Sequence, residues 1–337
     1  MRQTWEKSMN GKTIEWLLEK ENPSVRYFTL TELLGTPEDS DEVIVVKKEI
    51  MNSGMVPGIL EHQHPEGYWE TPADFYMKKY TGTVWQLLIL AELQAYGSDP
   101  RIRNACEFIL SHSQDLESSG FSVHTSAKAG GGRHSEVIPC LTGNLLWALI
   151  RFGYLHDERV QKGIGWILKY QRFDDGVAVP PAGWPYDKFE TCWGRHTCHM
   201  GIVKALKAFA EIPSEERTKE IRESIQYGVE FILQHHIYKK SHDLAKKAKP
   251  GWLKLGFPLM YQTDILEILL ILAKLGYRDP RMKDAADIVA SKQDGGGIWK
   301  LENSYNGSFY YDIEEKGKPS KWITLNSLRI LKRFESA

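Results

Sequence analysis

The sequence predicts an all-α protein, an (α/α)6 toroid in which inner and outer helices alternate and residues 1–337 form a single domain. Three observations carry that expectation: a repeated helix that closes on a glutamine, an alternation of charged with wholly apolar helical segments, and loops that are short at one kind of helix end and long at the other.

The repeat is clearest in three segments, "DPRIRNACEFILSHSQ" at 99–114, "DERVQKGIGWILKYQ" at 157–171 and "DPRMKDAADIVASKQ" at 279–293. Each opens with Asp, carries Arg two residues on and closes with Gln. The Asp suits a helix N-cap, and Pro suits the first helical position. Between them apolar residues recur at three and four, which is helical spacing. "GILEHQHPEGYW" at 58–69 and "GVEFILQHHIYKK" at 228–240 are looser copies. The five glutamines, 63, 114, 171, 234 and 293, are 51, 57, 63 and 59 residues apart, a period that suits two helices with their loops. In "QHPEGYW" and "QDGGGIW" the amide is expected to satisfy carbonyls at its own helix end. The glycines turn the chain, and the aromatic packs against the next outer helix.

Between these charged helices lie segments that are apolar on more than one face: 82–97, 141–154, 199–212, 260–276 and 322–334, with "SVRYFTLTELLG" at 24–35 as a sixth. A helix apolar all round is buried on more than one side, so these form the inner set. Inner-to-outer connections are tight, as in "GSD" at 97–99 and "GYRD" at 276–279, whereas the outer-to-inner ones are long. In an alternating ring the long loops gather on one face, beside the N-termini of the inner helices, and long loops are where function concentrates.

The glutamine–glycine–aromatic pattern resembles the QW repeat of squalene and oxidosqualene cyclases, shared more loosely by protein prenyltransferase beta subunits. "ADIVASKQDGGGIW" is the strongest match and "GILEHQHPEGYW" the next. The resemblance implies a terpenoid-cyclase or prenyltransferase-like enzyme acting on an apolar or prenylated small molecule or peptide, with an anionic head group such as a diphosphate.

Composition narrows the field. A net charge of −1 gives no global attraction to nucleic acid or to an anionic membrane. The stretch "ILEILLILAKLG" at 265–276 is too short to span a bilayer, and the first twenty residues lack a secretory pattern. Four cysteines, 106, 140, 192 and 198, are too few for a disulfide scaffold of this length and point to a reduced, cytoplasmic setting. Eleven Trp, 15 Tyr and 12 Phe supply rings for a large core or for an apolar pocket.

The candidate site gathers residues near the inner-helix starts: Arg26, Tyr27, Lys78, Lys79, Tyr80, Cys140, Thr142, Cys192, Arg195, His196, Cys198, His199, Tyr261, Asp264, Lys321 and Trp322. "ETCWGRHTCHMG" at 190–201 is the densest of these stretches. Thiolate with imidazole is a zinc donor set, so Cys140, Cys192, His196, Cys198 and His199 are the candidate metal ligands. A helix starting at 192 would put Cys192, His196 and His199 on one face. Lanthionine synthetase cyclases are similar here: the likeness of "CLTG" and "CHMG" to their zinc-binding stretches implies Cys140, Cys198 and His199. In prenyltransferase beta subunits the metal is held by an Asp-x-Cys and a later His; His196 corresponds to that His, but Ile138 stands where the Asp should be.

Asp264, Arg195 and Tyr261 are the candidate catalytic residues: a buried acid, a cation for an anionic head group and a phenol. The Asp-x-Asp-Asp acid of terpene cyclases has no counterpart; "FDDG" at 173–176 reads as a turn. The lysine-rich "KKSHDLAKKAKPGWLK" at 239–254 reads as a loop that attracts anions or is simply solvated. Two other functions fit the same fold. One is a non-catalytic toroid that binds a lipid or peptide. The other is a carbohydrate-cleaving enzyme, with Asp74, Glu190, Asp264 and Asp312 as its candidate carboxylates.

Overall fold

A computed structural model describes residues 11–52 and 54–335. The lack of a secretory pattern was read partly from residues 1–10, outside the described residues. The fold class is all-α, with the alternating helices of an α/α toroid. No helix among the described residues is long and apolar enough to cross a membrane. The chain divides into two compact units. Unit 1 takes the residues up to Glu61, His235–Leu259 and those from Asp264 on, and unit 2 takes His62–Gln234 and Met260–Thr263.

In chain order the helices are α1 Gly11–Leu17, α2 Pro23–Phe28, α3 Asp41–Asn52, α4 Met55–Glu61, α5 Thr83–Glu92, α6 Pro100–His112, α7 Pro139–Arg151, α8 Glu158–Tyr170, α9 Glu190–Trp193, α10 His199–Glu211, α11 Lys219–Gln234, α12 Ile265–Lys274, α13 Lys283–Ser291 and α14 Lys321–Glu335.

Unit 2 is built on α5, α7 and α10. Every residue of α5 from Thr83 to Ala91 is buried, as is every residue of α7 from Pro139 to Ile150. The outer α8, by contrast, buries a stripe of Val160, Gly163, Ile164, Trp166 and Ile167. Gly143 brings α7 and α10 together: a Cβ there would lie 2.5 Å from the Lys204 carbonyl carbon. No side chain fits between those two backbones. At their C-terminal ends the inner helices are tied by paired charges. Lys207 Nζ reaches Glu92 at 2.7 Å and lies 3.8 Å from the Trp147 ring. Arg151 reaches Glu211 at 3.5 Å, and Trp147 Nε1 donates to the same Glu211 oxygen.

The repeat works differently from the expectation. Gln63 Nε2 donates to Gly67 O at 3.3 Å and to Arg101 O at 2.9 Å. Gln114 Nε2 donates to Ser119 O at 3.0 Å and to Arg159 O at 2.8 Å. At these two repeats the amide therefore spans its own turn and the first turn of the next outer helix and does not cap its own helix, whereas Gln171 Nε2 donates to Arg172 O at 2.7 Å. For Gln63 and Gln114 the receiving carbonyl on the next helix belongs to the Arg of the Asp-x-Arg opening. Asp99 and Asp157 cap α6 and α8 by accepting from the Arg amide two residues on, and the same Arg folds its guanidinium back onto them. A fixed helix start thus presents a fixed acceptor to the preceding repeat. Gly67, at φ 92°, lets the turn lie against α6, where a Cβ would meet Asn104 O at 2.3 Å.

In unit 1, α14 packs on α12 and α2, with α3 and α13 outside. The inner segment expected at 24–35 is α2 followed by a π-helical turn, Thr29–Leu33. The lysine-rich stretch is an antiparallel pair, β3 Lys239–Lys240 and β4 Asp243–Lys247, where a loop was expected. A separate antiparallel pair, β1 Thr125–Ser126 with β2 Gly131–Gly132, lies in unit 2. Lys239 is engaged by Asp284 at 2.6 Å.

Candidate functional site

The structure breaks the helix on which the single-face register of Cys192, His196 and His199 depended. α9 spans only Glu190–Trp193, and Gly194 (ψ −150°) ends it. Residues 195–197 are non-helical, and Cys198 in extended conformation opens α10. Arg172 enforces the break: it pairs with Asp174 and donates to Trp193 O at 2.7 Å and Gly194 O at 3.0 Å. Asp174 also accepts from Thr197 at 3.3 Å. The "FDDG" segment is therefore a structural turn.

One consequence is that Cys192 and Cys198 meet. The Cys198 amide donates to Cys192 O at 3.3 Å, and the two thiols are hydrogen-bonded to each other. That contact first, and burial second, push the Cys192 thiol well above its ordinary range. Cys140, in the first turn of α7, feels both Cys198 and the wholly buried Lys204 of α10. Burial raises its thiol to about 12. His196 is exposed and packs on Gly176, and His199 meets Phe231 edge-on at 5.3 Å. As arranged, the five expected ligands do not form one metal site: among the described residues no group of three or more His, Cys, Asp or Glu side chains is placed to hold an ion.

Next to the thiols stands an aromatic cluster. Tyr76 senses Cys140, Tyr261 and Cys192, and burial is the main cause holding its phenol above the usual range. Its ring is 4.9 Å from Trp85, which is 5.1 Å from Tyr80 and 6.2 Å from Tyr261. Trp85 Nε1 donates to Tyr76 O at 2.8 Å, fixing the indole. Over three of these rings lies the Lys79 ammonium. Of the expected site residues, the structure thus brings together Cys140, Cys192, Cys198, Tyr261, Lys79 and Tyr80. Tyr76, Trp85 and Lys204 belong with them and were not foreseen. The alternation of rings and lysines in "DFYMKKYTGTVW" at 74–85 was the available signal.

The structure places the remaining candidates apart from this cluster. Asp264 lies in unit 1 and caps α12, accepting from Glu267 N at 2.9 Å and Gly256 N at 2.8 Å, and burial raises its carboxyl to about 7. Tyr261 and Arg195 lie in unit 2, and Arg195 is exposed. Arg26 pairs with Glu42 and Glu49, Lys321 with Glu19, and Trp322 stacks on Phe257 at 4.2 Å. Thr142 Oγ1 accepts from Phe121 N. Of the carbohydrate-type carboxylates, Asp74 is held by Thr71, Asp264 is the cap just described, and Asp312 closes a turn on Gly307. Glu190 is exposed. A cleft of about 450 Å³ in unit 1, lined by Lys20, Val45, Lys48, Glu49 and Asn52, contains none of the candidates.

No family model matches the sequence, and neither does any curated protein. Solved structures do. An unsaturated glucuronyl hydrolase specific for heparin is 11% identical, covering 94% of this chain and 86% of its own, with a TM-score of 0.45. A type II terpene cyclase from Scytonema is 14% identical, covering 94% and 88%, with a TM-score of 0.42. A protein from Actinoplanes is 15% identical, covering 92% and 89%, with a TM-score of 0.43. At these values the likenesses carry no argument about activity.

Proposed function

We propose that the protein is an enzyme of the terpenoid-cyclase and prenyltransferase kind, acting on a small, largely apolar molecule at the N-terminal ends of the inner helices of unit 2. One observation carries the reading: Tyr76, Tyr80, Trp85 and Tyr261 converge beside Cys140, Cys192 and Cys198, while paired charges occupy the opposite helix ends. The rings offer apolar faces that also tolerate positive charge. The Tyr76 phenol and the Cys140 thiol, kept protonated chiefly by burial, line the site as neutral groups. Tyr261, beside Trp85 and under the Lys79 ammonium, remains the candidate catalytic residue.

The test is turnover of prenyl chains supplied as diphosphates, alcohols and amines, read by mass spectrometry. Consumption of one class, lost in Tyr261→Ala with the fold intact, is the expected result. An apolar molecule that co-purifies unchanged, with no consumption, would establish a binding protein instead. Zinc assistance is the second reading: Cys192 and Cys198 meet and both act on Cys140, and a metal would have to draw them into a ligand set that they do not form as they stand. Stoichiometric zinc in purified protein, lost from Cys192→Ser, is its signature.

A further inference from the structure

The Lys79 ammonium lies 4.6 Å from the ring centroid of Tyr261, 5.3 Å from Tyr76 and 5.8 Å from Trp85. All three distances are within the range where a cation is attracted by the negative face of a ring. Tyr80 closes on Trp85 edge-on. The lysine is an exposed residue reaching over two buried rings, Tyr76 (9% exposed) and Trp85 (1%), and the half-buried ring of Tyr261. Such a lysine can be hydrated elsewhere at little cost, so the box does not exist for its sake.

Two buried amides hold the backbone at two of these rings, one at Tyr80 and one just before Tyr261. Gln86 Nε2 donates to Tyr80 O at 2.8 Å, and Asn144 Nδ2 donates to Met260 O at 3.0 Å, one residue before Tyr261. With their NH2 groups anchored, Gln86 Oε1 and Asn144 Oδ1 are buried acceptors without a hydrogen-bond partner among the described residues. Gln86 is 1% exposed and Asn144 2%. The ring faces under the lysine are electron-rich, so an anionic head group is repelled by them whereas a cation is attracted.

We propose that this box is the recognition subsite for an organic ammonium group on the ligand, and that Lys79 is a placeholder the ligand displaces. The proposal rests on the site location given under Proposed function and names its substrate class: an apolar molecule bearing a protonated or quaternary amine.

Calorimetric titration with choline, protonated dimethylaminoethanol and the neutral isostere 3,3-dimethylbutan-1-ol tests it. Wild type is expected to bind both cations and not the alcohol. Lys79→Ala, which removes the internal competitor, is expected to tighten choline about tenfold, and Tyr261→Leu to weaken it by a similar factor. Circular dichroism verifies that both variants fold. Equal binding of alcohol and choline overturns the ammonium assignment and leaves an apolar site standing. Binding of neither cation nor alcohol, in wild type and in Lys79→Ala, overturns both readings. Choline affinity unchanged by Lys79→Ala overturns the placeholder role.

Discussion

The backbone N–H of Trp69 donates to Oγ1 of Thr83 at 3.0 Å, so the aromatic that ends a repeat turn is bolted to the first residue of the next inner helix. The same bond recurs between Phe121 and Thr142 and between Trp299 and Thr324, each at 3.0 Å. All three aromatics are wholly buried. Gln63 and Gln114 each join one outer helix to the next, and this threonine joins the turn to the inner helix. Thr83→Val keeps the shape and removes the acceptor of that buried N–H. It is expected to cost about 1–3 kcal/mol in a denaturant titration, while Thr83→Ser stays close to wild type. A Thr83→Val variant as stable as wild type would show that the bond is incidental.

Gly67→Ala tests the turn from the other side. The new methyl would meet Asn104 O at 2.3 Å in a backbone already at φ 92°. Strain and overlap together are expected to lower stability by about 1–3 kcal/mol. A melting temperature within a degree of wild type would mean that the turn moves away from α6 freely.

Asp264 sets a pH dependence. Burial raises its carboxyl from 3.8 to about 7 in the folded protein. A raised folded-state value means that its contribution is complete below about pH 4 and is lost as the pH climbs to about 7, by up to about 1.4 kcal/mol per pH unit. Asp279, held down to about 2 by Arg281, works in the opposite direction at more acid pH. Asp264→Asn stays neutral and still caps α12, so its stability relative to wild type should rise between about pH 4 and about pH 7 and level off above. Parallel pH profiles for the two proteins would remove Asp264 as the cause.

The thiols are expected to be quiet. With Cys140 at about 12, only about one thiol in ten thousand is ionised at pH 8. Burial likewise raises Cys106, and the Cys198 contact raises Cys192. Iodoacetamide at pH 8 should leave these three unmodified in the folded protein and label them after unfolding, as read by peptide mass spectrometry. Rapid labelling of Cys140 in the native state would point to a stabilised thiolate and favour the zinc reading.

Much of the fold was legible because its signals are local. The Asp-x-Arg starts of α6 and α8, the glycine turns and the all-round apolar character of α5 and α7 each depend on residues a few positions apart. The role of the glutamines was misread because their second partners, Arg101 and Arg159, lie 38 and 45 residues away. The helix register at 192–199 failed for a similar reason: Arg172, some twenty residues earlier, holds the backbone of Trp193 and Gly194 out of helix.

The sequence by itself determined the helices, their alternation and the glutamine–turn–aromatic repeat, since periodicity and capping act within a turn or two of the chain. Only the tertiary structure decided which side chains share a site. It set Cys140 beside Cys198, and Tyr261 over the same lysine as Tyr76 and Trp85, because those contacts depend on how helices far apart in the chain pack, and that geometry leaves no mark at any single position.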